Sequence, residues 1–328
     1  MKIAVFSSCN YDQYFLQKAN TGHTLSFFPH ALSGLSLPQN GDYDAVCLFV
    51  NDQVDARMME KLRQCGIKLI LLRCAGFNSI DLEAAAETGI KILRVPGYSP
   101  HAVAEHAMTL ILTLNRKTHK AYNRTREGNF SIEGLMGFNL NQAKVAIIGT
   151  GSIGKAFYQL IRGFGCQVKA YDPYPDEALK SKGLHYGTLA EVLEDADIVS
   201  LHCPLTTHNH HMINATTLKL FKPGTMLINT SRGGLVDTSA VIQALKSGQL
   251  GALGIDVYEK ESKLFFADHS AEIIGDEMIT RLLSFPNVLV TAHQAFFTKE
   301  AMEEIASITF SNADAFSQGL PLKNEIFA

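Results

Sequence analysis

The stretch GTGSIG, residues 149–154, is the part of the sequence that points most directly to a fold. It follows the apolar run KVAII and opens the amphipathic stretch SIGKAFYQLIRGFG. A strand, a glycine-rich turn and a helix in this order are typical of dinucleotide-binding domains. Gly149 allows a tight turn, Gly151 allows a pyrophosphate to approach the backbone, and Gly154 allows the helix to pack against the strand. We therefore predict nucleotide binding here, with phosphate held at the helix N-terminus.

Asp172 strengthens this prediction and specifies the nucleotide. It ends the next apolar run, VKAYDP, 21 residues after Gly151. A carboxylate at this place accepts hydrogen bonds from both ribose hydroxyls of NAD and repels the 2′-phosphate of NADP. The predicted cofactor is therefore NAD.

The position of the turn, near the middle of a 328-residue chain, indicates an inserted domain. Six apolar runs between residues 143 and 293 alternate with helical stretches, which is the strand count of a complete dinucleotide-binding domain. Four further runs before residue 100 predict a second parallel sheet. We predict an α/β protein of two doubly wound parallel-sheet domains. A Rossmann-type NAD domain, 101–294, is inserted into a flavodoxin-like substrate domain made of 1–100 and 295–328.

Composition excludes several classes of partner. The net charge of −3 argues against nucleic acid or an anionic membrane, and the chain has no 18-residue apolar run. Its six cysteines are scattered without a CxxC pair, which favours a reducing compartment and a cytoplasmic location. The histidines of HNHH, 208–211, have no Cys or carboxylate at a typical ligand spacing. We expect a solvated loop there and no metal site.

Polar residues follow three later strands of the predicted cofactor domain. Arg232 follows MLINTS, Glu261 follows ALGIDVYEK, and His293 ends VLVTA. Because the carboxyl ends of parallel strands line the ligand crevice, these residues are candidates for one site. The planar fork of Arg232 can hold the carboxylate of a 2-oxo acid. His293 can donate a proton to its carbonyl oxygen, with Glu261 on the far ring nitrogen.

Further stretches occur in a characteristic order around these residues: RCAGFNSIDLEAA, RVPGYSPHAVAEHA, YDPYP, LHCPLT, INTSRGGLVD, GIDVYEKE and AHQAFFT. Over essentially the whole chain the sequence resembles the D-2-hydroxyacid dehydrogenase family, and within it the bacterial fermentative D-lactate dehydrogenases. The resemblance implies that Arg232, Glu261 and His293 form the catalytic set. It also implies NAD-dependent hydride transfer between NADH and pyruvate giving D-lactate, with His293 as the acid/base.

The resemblance implies binding residues as well. Substrate contacts are expected from Ala75, Gly76 and Tyr98, besides Arg232 and His293. The two groups belong to different predicted domains, so the substrate is expected between them. The residues that the resemblance and the glycine motif assign to the cofactor are Gly149, Gly151, Ser152, Ile153, Gly154, Asp172, Cys203, Pro204, Asn209, Thr230, Ser231 and Asp256.

Several alternatives stay open within and beyond this family. Another 2-oxo acid is possible as substrate: hydroxypyruvate, glyoxylate or a branched one. Formate is disfavoured because formate dehydrogenases of the family have Gln where Glu261 stands. A phosphoglycerate dehydrogenase with a C-terminal regulatory domain is disfavoured because only 35 residues follow His293. A non-enzymatic NAD-sensing scaffold retains the catalytic residues; appended tails would distinguish it, and the sequence shows none.

Two features bear on substrate size and assembly. Bulky residues at 264–266 and 295–297 lie near the predicted catalytic Glu and His, and we expect some of them to wall a small pocket that suits pyruvate. The helical stretch from about Ala102 to Tyr122 is apolar over more than one stripe. In the resembling family this region forms a two-fold contact. We therefore predict a homo-oligomer, either a dimer or a tetramer.

Overall fold

The structure is a computed structural model that describes residues 1–34, 36, 37, 39 and 41–327. It divides into two compact units, Met1–Ser99 with Phe297–Ala328, and Pro100–Phe296. The first break, after Ser99, lies one residue before the predicted boundary between residues 100 and 101. The second break, after Phe296, lies two residues after the predicted boundary between residues 294 and 295.

The first unit is built on a five-stranded parallel sheet. Its strands are β1 (Lys2–Val5), β2 (Thr24–Phe27), β3 (Ala45–Leu48), β4 (Leu69–Leu72) and β5 (Lys91–Arg94), and its first helices are α1 (Asn10–Ala19), α2 (Ala56–Gln64) and α3 (Leu82–Thr88). The order β2-β1-β3-β4-β5 is the flavodoxin-like order, as predicted. The four predicted apolar runs correspond to β1, β3, β4 and β5. Strand β2 was missed because it is an edge strand, whose residues are exposed or only half-buried.

The second unit is a seven-stranded parallel sheet. Its helices are α4 (Pro100–Arg116), α5 (Thr118–Arg126), α6 (Ser152–Gly163), α7 (Glu177–Ser181), α8 (Leu189–Leu193), α9 (Thr238–Ser247) and α10 (Glu277–Leu283). Its strands are β6 (Lys144–Ile148), β7 (Gln167–Tyr171), β8 (His185–Tyr186), β9 (Ile198–Leu201), β10 (Thr225–Asn229), β11 (Leu250–Ile255) and β12 (Val288–Val290). The order β12-β11-β10-β9-β6-β7-β8 extends the Rossmann order by one strand, so the predicted fold class is confirmed. The two-residue edge strand β8 is too short to give a sequence signal.

Both sheets are covered on both faces, which explains their continuous apolar runs. In β6, Val145 and Ile147 belong to one apolar cluster, while Ala146 and Ile148 belong to the cluster on the opposite face. The last helix, α11 (Lys299–Ser317), packs against α1 and β4 of the first unit.

The helical stretch predicted from about Ala102 to Tyr122 consists of two helices in the structure. Helix α4 begins at Pro100, and Lys117, with a left-handed φ of 51°, separates it from α5. Helix α4 packs on α6, β10 and β11 of the second unit. Its surplus apolar residues are therefore buried inside this unit. Among the described residues, no helix is both long and apolar enough to cross a membrane.

Candidate active site

The glycine-rich turn lies at the carboxyl end of β6, with tight contacts at two of its glycines. Gly149 has a left-handed φ of 95°, and a Cβ there would lie 2.8 Å from the backbone of His202 and Cys203. A Cβ on Gly154 would lie 2.1 Å from the Gly149 carbonyl oxygen. Neither position has room for a side chain, because turn, helix and neighbouring strand are in direct contact.

Gly151 stands in open space instead. Apart from its own chain neighbours, no described atom lies within 4 Å of the place where its Cβ would be. It is the N-cap of α6, so the amides of Ser152 and Ile153 begin a helix whose first turn has unpaired N–H groups. An open approach to a helix N-terminus is suited to the phosphates of a dinucleotide.

Asp172 is hydrogen-bonded to the glycine-rich turn. Its Oδ2 accepts hydrogen bonds from the amide of Thr150 at 2.6 Å and from the Thr150 hydroxyl at 2.9 Å. Its Oδ1 accepts from the Tyr174 amide at 2.8 Å. The Tyr186 hydroxyl donates in turn to Thr150 Oγ1 at 3.0 Å. The carboxylate therefore keeps a fixed position beside the turn, with lone pairs left for further donors.

The loop after β9 carries three of the predicted cofactor residues. Burial raises the pKa of Cys203 to about 11, so this thiol stays protonated at neutral pH. The Asn209 side chain closes the loop on itself. Its amide nitrogen donates to the Pro204 carbonyl at 2.8 Å, and its oxygen accepts from the Thr206 amide at 2.7 Å. In this structure Asn209 shapes the loop in which Cys203 and Pro204 lie.

The turn after β10 contains a buried hydroxyl that lacks a partner. Thr230 is 7% exposed, and its Oγ1 has no hydrogen-bond partner among the described residues. The neighbouring Ser231 hydroxyl donates to the Leu201 carbonyl at 2.8 Å. A buried hydroxyl is normally hydrogen-bonded, so Thr230 suits a polar ligand. Together with the open space at Gly151, it makes the residues present fit a bound dinucleotide.

His293 and Glu261 form a pair in the second unit. Glu261 Oε1 lies 2.8 Å from His293 Nδ1, and Glu261 Oε2 accepts from the Tyr258 amide at 2.8 Å. The two side chains are 22% and 19% exposed, so the pair is only partly shielded from water. This arrangement leaves Nε2 as the ring atom of His293 that can serve a substrate.

Asp256 organises the turn that carries His293. Its carboxylate is fully buried and accepts hydrogen bonds from the amides of Gln294 at 2.9 Å and Ala295 at 2.8 Å. Its carbonyl accepts from the His293 amide at 2.7 Å. His293 itself has a left-handed φ of 52°, which is uncommon outside glycine. The sequence had suggested only a cofactor contact for Asp256, and its support of this turn was missed.

The loop that carries Arg232 lies next to the loop that leads into Glu261. Its Nη1 donates to the Ser231 carbonyl at 2.7 Å. A Cβ on the following Gly233 would lie 2.1 Å from the carbonyl carbon of Tyr258. The loop of Arg232 thus packs backbone to backbone on the loop that leads into Glu261. The structure brings these two loops together, which sequence spacing alone could not show.

The predicted substrate residues Ala75, Gly76 and Tyr98 lie in the first unit, after β4 and β5. Arg94 Nη1 donates to the Ala75 carbonyl at 2.7 Å. Arg73, only 2% exposed, donates to the carbonyl of Ser7 at 2.6 Å. Arg94 therefore braces the turn, whereas the side chain of Arg73 ties the end of β4 to the loop after β1, and sequence reasoning missed both. The signal was a charged residue at the end of the apolar run LILLRCAG, since a buried arginine needs partners.

The histidine-rich loop makes one contact with a carboxylate that the sequence did not reveal. His211 Nε2 lies 2.5 Å from Glu259 Oε1, and the other oxygen of Glu259 accepts from the Thr238 amide at 3.0 Å. Glu259 lies 48 residues from His211 in sequence, so a search at typical ligand spacings could not find this contact. No group of three metal-ligating side chains occurs within the part of the chain that the structure describes.

His202 is another residue whose environment the sequence did not reveal. It lies directly beneath the glycine-rich turn, and burial lowers its pKa to about 3. Its Nε2 lies 2.9 Å from the Ser200 hydroxyl, and its ring contacts Phe157 with centroids 4.6 Å apart. His202 is therefore a neutral, packed histidine at neutral pH.

The fold and these sites define a Rossmann-type dehydrogenase architecture, and the comparisons identify its family. Residues 108–295 match the model described as D-isomer specific 2-hydroxyacid dehydrogenase, NAD binding domain. The chain therefore belongs to the D-isomer-specific 2-hydroxyacid dehydrogenase family, and the predicted family and NAD cofactor are confirmed.

Individual relatives match over nearly the whole chain. 2-Hydroxyacid dehydrogenase A of Aspergillus oryzae is 50% identical over 99% of this chain and 95% of its own. D-lactate dehydrogenase of Escherichia coli is 45% identical over 99% of this chain and 100% of its own. The solved structure of the pyruvate reductase of Chlamydomonas reinhardtii is 43% identical, with a TM-score of 0.92 over 99% of this chain and 98% of that one.

Proposed function

We propose that this protein is an NAD-dependent D-lactate dehydrogenase that interconverts pyruvate and D-lactate. The observation that carries the proposal is the 2.8 Å contact between Glu261 and His293, on a loop adjoining that of Arg232. The proposal is supported by family membership and by relatives named D-lactate dehydrogenase and pyruvate reductase.

Arg232 and His293 have complementary roles in this reaction. The guanidinium of Arg232 holds the substrate carboxylate through two parallel N–H donors. His293 Nε2 donates a proton to the carbonyl oxygen during reduction and recovers it during oxidation. An Nδ1–H that donates to Glu261 fixes the orientation of the ring. NADH, when bound, supplies the hydride.

We assign the remaining contacts as follows. The first turn of α6, with Gly151, Ser152 and Ile153, receives the pyrophosphate, and Asp172 receives the ribose hydroxyls. Two segments line the rest of the cofactor site: the loop with Cys203, Pro204 and Asn209, and the turn with Thr230 and Ser231. Asp256 supports the site. The turn of Ala75 and Gly76, with Tyr98, contributes substrate contacts.

A panel of 2-oxo acids with NADH tests the proposed function. We expect the highest kcat/KM for pyruvate, because Phe266, whose ring centroid is 5.8 Å from that of His293, restricts the space beside the reacting carbonyl. A higher kcat/KM for 2-oxoisocaproate, hydroxypyruvate or glyoxylate would contradict pyruvate as substrate. Failure of every 2-oxo acid to oxidise NADH would leave the NAD-sensing scaffold as the better explanation.

Replacement of Asp172 by Ala is expected to weaken the preference for NADH over NADPH by about tenfold, since hydrogen bonds to a charged group are lost and repulsion of the 2′-phosphate is removed. The measurement is the ratio of kcat/KM for the two cofactors. Asp268→Ala, which removes a surface carboxylate elsewhere in the same unit, is the control. Equal use of NADH and NADPH by the unaltered protein would rule out this role.

We also propose that the protein is a homodimer, with a tetramer as a further possible assembly. Segment 130–138, after α5, exposes Phe130, Ile132 and Met136 by 77%, 84% and 86%. Lys117 Nζ nevertheless holds the backbone of this segment, donating to the carbonyls of Gly134 and Met136 at 2.9 Å. Large apolar side chains on a segment held in this way mark an interaction surface.

Light scattering tests the assembly. We expect a mass above the 36.0 kDa of one chain at micromolar concentration. The double substitution Ile132→Asp with Met136→Asp is expected to release monomers, because it would bury charge in the interface. Ile273→Asp, at a site that is 98% exposed elsewhere in the same unit, should leave the assembly unchanged. A monomeric unaltered protein would refute the proposal.

A cytoplasmic location is part of the proposal and rests on the cysteines. No disulfide joins any of the six, all of which lie in the described part of the chain, and Cys47 and Cys74 are buried. Such use of cysteine is typical of reducing compartments. Cell fractionation with detection of the untagged chain would test it.

A further inference from the structure

A cavity of about 510 Å³ lies in the second unit at the opposite edge of the sheet from the glycine-rich turn. Its wall includes Lys144, the first residue of β6, whereas Gly149 follows the last residue of that strand. At about 3.3 Å per residue, the two positions are roughly 16 Å apart. The cavity is therefore separate from the candidate active site, and its volume is within the range of small-molecule sites.

Basic side chains dominate the polar part of this wall. Five basic residues and one carboxylate, that of Asp195, line it. The basic residues are Lys144, Arg162, Lys169, Lys182 and His185. Three helices, α6, α7 and α8, end beside it, and each C-terminus contributes about half a negative charge. With the histidine counted as neutral, a surplus of roughly 1.5 positive charges remains.

Ion pairs engage Lys144 and Lys169 but not the other basic residues of the wall that the structure describes. Asp195 lies 2.6 Å from Lys144 and 3.9 Å from Lys169. Within the described part of the chain, Arg162, Lys182 and His185 have no carboxylate within 4.0 Å. Like charges gathered around one cavity repel each other, so the arrangement is stabilised by an anion.

The other wall residues indicate what kind of anion fits. Val145, Val168, Val192 and Ala196 form an apolar side of the cavity, and the ring of Tyr158 lies under the guanidinium of Arg162 at 6.0 Å. The guanidinium fork matches the oxygens of a phosphate, and the lysines add point charges. An apolar side next to these groups leaves room for a carbon skeleton.

We propose that this basic cavity binds a small phosphorylated organic molecule. Its phosphate groups contact Arg162 and Lys182, and its carbon skeleton lies against Val168 and Val192. The site is independent of the NAD site and of the reaction at His293.

Binding of inorganic pyrophosphate to the NADH-saturated protein tests the proposal, because saturation with NADH blocks the helix N-terminus of α6. Isothermal titration calorimetry at low ionic strength should detect a millimolar or tighter complex. The substitutions Arg162→Glu and Lys182→Glu should each weaken it by about tenfold or more, since a hydrogen bond to a charged group is worth at least that factor. Both residues are exposed, so the variants should fold and bind NADH normally.

Lys219→Glu is the matched control, because it makes the same change of charge at an exposed lysine outside the cavity. It should alter pyrophosphate affinity by less than about twofold. Absence of pyrophosphate binding to the NADH-saturated protein would overturn the proposal. An equal loss of affinity in Lys219→Glu and Arg162→Glu would also overturn it, because it would show only general charge attraction. Neither outcome bears on the proposed dehydrogenase function, since NADH oxidation is measured separately.

Discussion

Replacement of His293 by Gln is expected to lower kcat for pyruvate reduction by about a hundredfold or more, while the affinity for NADH stays nearly unchanged. A general acid typically contributes a factor of 10²–10⁴, and Gln cannot release a proton to the forming alkoxide. Gln retains an amide donor that can still reach Glu261, so the local structure should survive. Steady-state kinetics with pyruvate and a fluorescence titration with NADH measure the two effects.

The chain offers a matched control for this experiment. His269 Nδ1 also lies 2.8 Å from a glutamate oxygen, that of Glu272, outside the proposed catalytic set. His269→Gln should therefore leave kcat within about twofold of its original value. If His293→Gln retained near-original kcat, the proton donor would be another group. A comparable loss in His269→Gln would point to structural damage instead.

Replacement of Arg232 by Lys is expected to raise KM for pyruvate strongly and to lower kcat as well. Lysine keeps the charge and loses the planar fork that binds a carboxylate through two N–H groups. Loss of one charge-assisted hydrogen bond corresponds to roughly ten- to a hundredfold in kcat/KM. Because the substrate is then held less rigidly, kcat should fall together with binding.

Arg281→Lys on α10 is the control, since it makes the same exchange at an exposed arginine of the same unit. It should leave both constants unchanged. A higher KM in Arg232→Lys with an unaltered kcat would mean that Arg232 contributes to binding and not to orientation. Unaltered kcat and KM in that variant would exclude it from the substrate site.

The sequence alone was sufficient for the parts of the fold that depend on local patterns. The glycine spacing of 149–154, the apolar runs and Asp172 predicted the Rossmann-type unit, because strand burial and tight turns impose residue types at short range. The flavodoxin-like unit followed from the remaining runs. Strands β2 and β8 were not predicted, because edge strands are short or half-exposed and their sequence patterns are weak.

Only the tertiary structure decided which distant residues meet. It joined Glu261 to His293, Glu259 to His211 and the Arg232 loop to the Tyr258 backbone, none of which sequence spacing encodes. It also showed that the apolar surplus of α4 is buried within its own unit, and that exposed apolar side chains lie instead on segment 130–138. Local patterns record whether a residue is buried, whereas partners are determined by how strands and loops far apart in sequence pack together.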